Sequence, residues 1–365
     1  RNEVVIELTR GLEIGEYQFS KYIPEYLGEL GLFLHPNELD ELISELEKQT
    51  ESTNDRISSV ALDTVGVVVR KYSDYRTRFV EKDKAYDERL ERLLGILLRG
   101  LGNYHQVVCQ EAFEVIGQHI FGAKELPLDE KCKIFKLIYK KMLTLLVDQQ
   151  ETELAFFNNS ASLNNIYRFI KDFTFAYGAF AIETMKKAAF FPGTFDPFSL
   201  SHKGIVQEIR KHGFEVYLAL DEFSWSKKTQ PRMVRRKIIT MSVANEGHVF
   251  VFPDSIPINL SNERDLNRLR GLLDYKELYV VVGSDVIANA SSYKAQPSET
   301  SIHNFNHVVF KRDTAAEGAC PIDGLSAACK NIKGKVLELK LPLYLEDISS
   351  TKIRGNIKLN RDISN

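Results

Sequence analysis

The pattern of apolar and polar positions changes character near residue 186. Before it, apolar residues recur at the spacing of one helical face. Leu90, Leu93, Leu94, Leu97, Leu98 and Leu101 form one such stripe. Ile134, Ile138, Met142, Leu145 and Leu146 form another after the break at Pro127, and Val107 to Ile120 and Ile166 to Ile182 are further expected helices. From Lys186 the apolar runs shorten and alternate with helical stretches. Lys187 to Phe191, Glu215 to Leu220, His248 to Phe252, Leu278 to Val282, His307 to Phe310 and Val336 to Leu341 read as strands. Arg232 to Ala244 and Leu266 to Leu273 read as helices between them, and a further helix can begin at Ser201. Pro192, Gly193 and Pro197 are expected to break regular structure after the first strand. The expectation is therefore an all-α domain over residues 1–185, either a bundle or stacked helix pairs without a fixed-period repeat. An α/β domain with a mainly parallel sheet follows over 186–365.

Proline usage supports the same division: Pro24, Pro36 and Pro127 precede residue 186, and the other eight prolines follow it. A chain of 365 residues is long enough for two cores. A net charge of −2 gives no general case for a nucleic-acid or membrane partner. There is no run of 18 or more apolar residues that would suggest a membrane span, and no signal peptide opens the chain. It begins at Arg1 rather than methionine, as a piece of a longer protein would. Cys109, Cys132, Cys320 and Cys329 are too few for a disulfide framework and lack zinc-like pairing. Cys320 and Cys329 are close enough in sequence to bridge, but reduced thiols and a cytoplasmic location are expected.

In the helical half, His105 and His119 are expected to share one helix face as packing or surface histidines, with no carboxylate constellation beside them. Glu88 with the stretch Arg89 to Arg92 reads as a solvated face. No catalytic site is expected there; an interaction role with a protein partner, a regulatory role or an additional domain are the readings left open.

The chemistry concentrates at FFPGTFDPFSLSHKG, residues 190–204. Strand, glycine-bearing turn and helix start together leave backbone N–H groups pointing outward, where they can hold phosphate, and His202 lies in the first helical turn. An ordinary strand-to-helix connection with a surface histidine reads equally well from these features alone. VVVGSD, ending at Asp285, and ISSTKIR, ending at Arg354, also follow expected strands. Ligands of parallel sheets bind beyond the carboxyl ends of the strands, so the three segments point to one site.

GTFDPFSLSH resembles the signature of the nucleotidylyltransferase superfamily, with VVVGSD and ISSTKIR standing where that superfamily has its second and third motifs. The resemblance covers about residues 186–365 and is closest to nicotinate or nicotinamide mononucleotide adenylyltransferases. It implies a Rossmann-like fold and adenylyl transfer from ATP to a phosphate monoester, with Mg²⁺ carried by the ATP. By the same resemblance, His202 contacts the ATP phosphates and Gly193, Thr194 and Phe195 form the phosphate turn. Gly283 and Asp285 contact ribose or adenine. Ser349, Ser350 and Thr351 open a last helix at the phosphates, and Arg354 reaches the β- or γ-phosphate. Lys228 belongs to a basic loop near the substrate phosphate, and Trp225 and Tyr293 are candidates to stack on the acceptor base. The rest of the basic run, Lys227, Arg232, Arg235 and Arg236, reads equally well as a solvated face. The family's first motif histidine or threonine is Ser199 here, where a hydroxyl could still donate to phosphate, and its glycine is Ser201. His303 and His307 have a metal-like spacing but precede a strand, so a metal site there is not expected. Residues 312–330 are expected to form an irregular excursion. Cytidylyl transfer, a pantetheine or sugar phosphate acceptor, and a nucleotide-binding module with weakened activity remain open alternatives.

Overall fold

The computed structural model describes residues 2–14, 21–147, 160–181, 184–221, 229–310, 331–339, 348 and 350–359. It divides into two compact units: Arg1–Ile182 with Ala244–Gly247, and Glu183–Val243 with His248–Asn365. The break falls at 182/183 rather than 185/186, and the short turn at 244–247 groups with the first unit.

The first unit is helical: α1 (Asn2–Ile14), α2 (Ile23–Gly31), α3 (Pro36–Thr50), α4 (Asp55–Arg78), α5 (Asp83–Leu101), α6 (Gln106–Val115), α7 (Leu128–Val147) and α8 (Ser160–Tyr177). Local chemistry sets several starts. Asn54 accepts the Arg56 N–H at 3.1 Å to cap α4. Pro36 and the reciprocal His35–Glu38 bonds open α3. Helix α4 is central, packed by α2, α3, α5 and α6, so the unit is a bundle around one helix. At Gly66 a side chain would meet Val115 at 2.4 Å, so glycine permits the close approach to α6. The leucine stripe of α5 is buried throughout. Beyond Val115 the chain continues as a wider turn, Ile116–Phe121, instead of one α-helix to Ile120. The helix expected at Ile166 to Ile182 is Ser160–Tyr177.

Three expectations for this unit are corrected. Arg89 is 5 % exposed rather than solvated. Its fork binds both Asp40 oxygens, at 2.7 and 3.0 Å, and both Glu81 oxygens, at 2.7 and 3.0 Å, and it also donates to the Tyr72 hydroxyl. These partners hold the guanidinium in its charged form against burial. His105 precedes α6, so it does not share a helix face with His119. His119 does have a carboxylate: its Nε2 lies 2.7 Å from Asp63, while Nδ1 faces Arg70 at 3.2 Å. Burial, then Asp63 and Glu114, push neighbouring Glu111 up to about 7.

The second unit is a six-stranded sheet in the order β3-β2-β1-β4-β5-β6, with every pair parallel. Its strands are β1 (Lys187–Gly193), β2 (Phe214–Leu220), β3 (Val249–Val251), β4 (Glu277–Gly283), β5 (Asn306–Phe310) and β6 (Val336–Leu339). Between and after them lie α9 (Leu200–Lys211), α10 (Arg232–Val243), α11 (Glu263–Leu272), the short helices α12 (Ser284–Asn289) and α13 (Ser291–Lys294), and α14 (Ser350–Lys358). This is the Rossmann-like arrangement. Alternate residues serve opposite faces: Phe191, Val281 and Val308 pack with α9 and α10, and Phe190, Val280 and Val309 with α11. Burial on both faces explains why the strands read as continuous apolar runs. Pro192 and Gly193 do not end β1; they stay in register with Ala219 and Leu220 of β2. Residues 340–341, the Cys320–Cys329 pair and the expected excursion at 312–330 lie outside the described residues. No helix among the described residues is long and apolar enough to cross a membrane.

Candidate active site

The strand order reverses direction between β1 and β4, and a crevice opens beyond the carboxyl ends of strands at such a point. A cleft of about 460 Å³ lies there. Gly193, Thr194, Phe195, His202, Gly283, Asp285, Tyr293, Ser350 and Arg354 all line it, so the three sequence segments meet at one cleft.

The first wall is the turn after β1. Phe195 adopts φ 45°, a left-handed conformation uncommon for a non-glycine residue, and its ring turns back over Gly193. A Cβ at Gly193 would meet that ring at 2.7 Å, so glycine there accommodates the aromatic. Two carbonyls of this turn are engaged by the protein itself. Gly193 O accepts from the Asp221 N–H at 2.9 Å, and Thr194 O from Arg235 at 2.7 Å. Arg235 is 4 % exposed, and Arg236 binds Phe252 O and Asp254. Neither residue belongs to a solvated face; both hold the walls of the unit.

His202 occupies the third position of α9, 8 % exposed, boxed by the rings of Phe191, Phe195 and Phe198. Its Nδ1 accepts the Ser199 backbone N–H at 3.0 Å, and the Ser199 hydroxyl lies 2.8 Å from the same nitrogen. That hydroxyl also accepts the His202 backbone N–H in a capping box. A nitrogen that accepts hydrogen bonds carries no proton, so the imidazole proton resides on Nε2. Ser199 is 5 % exposed and is not part of the cleft wall. Its hydroxyl, expected as a phosphate donor, lies against His202 in this structure.

The second wall follows β4. Asp285 folds its carboxylate back over Gly283, where a Cβ would lie 2.4 Å from Asp285 Oδ1, so the glycine gives the carboxylate its place. Tyr293 lines the cleft but is 6 % exposed. Its hydroxyl lies 2.9 Å from His307 Nε2, so the expectation of a side chain open for stacking is narrowed to its cleft-facing surface. His303 and His307 are fully buried, with protein partners at all four ring nitrogens: Ser301, the Tyr293 carbonyl, the Phe305 carbonyl and the Tyr293 hydroxyl. Burial pushes His307 down to about 4.

The third wall is α14. Ser350 Oγ donates to Pro197 O at 2.9 Å. Arg354 donates to the Asp196 carbonyl and lies 3.7 Å from Asp196 Oδ2. The first and third motif segments thus touch, although more than 150 positions separate them in sequence. Trp225, Lys227, Lys228 and Ser349, and the side chain of Thr351, lie outside the described residues.

Sequence reasoning missed Asp196, Asp221, Thr229, Asn259 and Ser261, which also line the cleft. Asp221 directly follows β2, and Asn259 and Ser261 lie in the connection after β3. The rule that flagged the ends of β1 and β4 would have flagged these too. The described charged lining consists of Asp196, Asp221, Asp285 and Arg354.

Residues 190–356 match the family model described as cytidylyltransferase-like. No curated protein matches the chain in sequence. Among solved structures, Plasmodium falciparum nicotinic acid mononucleotide adenylyltransferase complexed with NaAD is similar at 16 % identity and TM-score 0.39, over 49 % of this chain and 87 % of that one. The same enzyme complexed with APC gives 16 % and 0.37, with the same coverage. An engineered protein gives 12 % and 0.27, over 90 % of this chain and 98 % of that one. The cleft lies within the segment, residues 190–356, that matches this cytidylyltransferase-like model of the nucleotidylyltransferase superfamily.

Proposed function

We propose that the second unit transfers the adenylyl group of ATP to a phosphate monoester, nicotinate or nicotinamide mononucleotide, and releases pyrophosphate. The observation that supports this most is the direct joining of the GTFDP turn to the ISSTKIR helix at one cleft, through Ser350 on Pro197 and Arg354 on Asp196. The choice of ATP and of a pyridine mononucleotide draws on the motif resemblance.

In the reaction an acceptor phosphate oxygen forms a bond to the α-phosphorus, and the bond from that phosphorus to the β-bridging oxygen breaks. The acceptor oxygen is already a nucleophile, so no side chain needs to be deprotonated. What the site must supply is alignment and charge absorption. His202 offers an N–H donor at Nε2. Gly193, Thr194 and Phe195 offer backbone, Asp285 accepts ribose hydroxyls, Ser350 and Thr351 open α14, and Arg354 brings a guanidinium fork. Lys228, Trp225 and Ser349 keep the roles the resemblance gives them. Mg²⁺ would enter carried by the triphosphate and water, its charge neutralising the phosphates; among the described residues no group of three or more carboxylate, histidine or cysteine side chains is placed to hold a metal ion itself.

The test is pyrophosphate release from Mg-ATP or Mg-CTP against a panel of acceptors: pyridine mononucleotides, phosphopantetheine and sugar phosphates. Release with ATP and a pyridine mononucleotide is expected. Release only with CTP moves the chain to cytidylyl transfer, and nucleotide binding without turnover on any acceptor replaces the enzyme reading with a binding module.

A further inference from the structure

We infer that Ser199 is a positioning residue that sets the tautomer of His202, in place of the phosphate contact expected of the first residue of its motif. The inference takes its catalytic consequence from the nucleotidyl-transfer reading, but its geometry stands apart from it. Two donors from one residue, the Ser199 amide at 3.0 Å and its hydroxyl at 2.8 Å, meet at the single in-plane lone pair of His202 Nδ1. The hydroxyl has one hydrogen. While it accepts the His202 amide in the capping box, that hydrogen is directed to Nδ1.

A proton can be placed on Nδ1 only by displacing both donors and opening the first turn of α9. The rings of Phe191, Phe195 and Phe198 stand around the imidazole and hold its plane in this orientation. The charged groups of the adjoining cleft are Asp196, Asp221 and Asp285, with Arg354 held by Asp196. His202 is thereby oriented with Nδ1 as the acceptor and Nε2 as the donor.

The decisive variant keeps the helix cap and reverses the hydrogen bond. In Ser199→Asp the carboxylate still accepts the His202 amide, but it offers Nδ1 an acceptor where serine offers a donor. The experiment records long-range ¹H–¹⁵N spectra of ¹⁵N-histidine-labelled full chain, with His202 assigned from His202→Gln, alongside pyrophosphate release. Wild type and Ser199→Thr are expected to show an unprotonated Nδ1 and a protonated Nε2. Ser199→Asp is expected to gain the Nδ1 proton, to lose about tenfold or more in kcat with KM for ATP little changed, and to shift the acid limb of kcat to higher pH. If Ser199→Asp retains the wild-type nitrogen pattern and kcat, Ser199 is a helix cap alone and the inference is overturned. If wild type releases no pyrophosphate with any acceptor, the transfer reading fails, while the nitrogen spectra still decide the positioning role.

Discussion

His202 carries the heaviest assignment of any single residue, and its surroundings explain why so small a group would matter. A hydrogen-bond donor fixed in an aromatic box reorganises little as charge develops beside it, and that is where such donors lower barriers most. His202→Ala is expected to reduce turnover by at least about a hundredfold, read as kcat in the pyrophosphate assay. An unaltered rate would remove His202 from the reaction. Arg354 is a different case, since it already binds Asp196. Its truncation removes both a phosphate contact and the tie between α14 and the turn after β1. Arg354→Ala should raise the Kd for ATP by about tenfold or more in titration calorimetry, and equal affinity would count against the assignment.

At the scale of elements, two buried polar clusters make stability depend on groups outside the apolar cores. In the helical unit, Arg89 joins α3, α4 and the segment before α5 through Asp40, Tyr72 and Glu81. Removing one partner of a buried ion pair leaves the others uncompensated. Arg89→Ala should therefore cost about 3 kcal/mol in chemical denaturation, whereas a change within about 0.5 kcal/mol would make the network incidental. In the α/β unit, β5 carries His307, held neutral with a pKa near 4 against an ordinary 6.5. The unfolded chain binds a proton there between those values and the folded chain does not. The contribution is therefore complete above about pH 6.5 and is lost as pH falls toward 4, by about 3 kcal/mol in all. The stability difference between wild type and His307→Gln is expected to shift by an amount of that order, against wild type, between pH 7.5 and 4.5. A difference that stays constant across that range would show that His307 does not titrate as described.

For the whole molecule, the consequence of one shared cleft is that a nucleotide should report on distant parts of the chain together. ATP at about a hundredfold excess over its Kd stabilises the folded state by about 2.7 kcal/mol. Amide exchange should slow at 193–196, 283–286 and 350–354 in parallel, because these segments line the same cavity. Protection confined to one segment would mean that the nucleotide does not bridge them.

What the amino-acid sequence determined by itself is what local spacing carries. The leucine stripe of α5 and the alternation that puts Phe190 and Phe191 on opposite faces of the sheet are short-range patterns. So are the three motifs, and each could be read without a partner. What only the tertiary structure decided is who meets whom. Arg89 and Arg235 look like surface charges in sequence and are buried, because their acceptors, Asp40 and the Thr194 carbonyl, lie 49 and 41 positions away. Ser199 reads in sequence as a phosphate donor, and in the fold its hydroxyl lies against a histidine three residues on. Arg354 reaches Asp196 across 158 positions. Periodicity records which side of an element faces inward. It holds no record of which distant polar group will be there to receive a charge, and that is the quantity on which both the burial of these residues and the site depend.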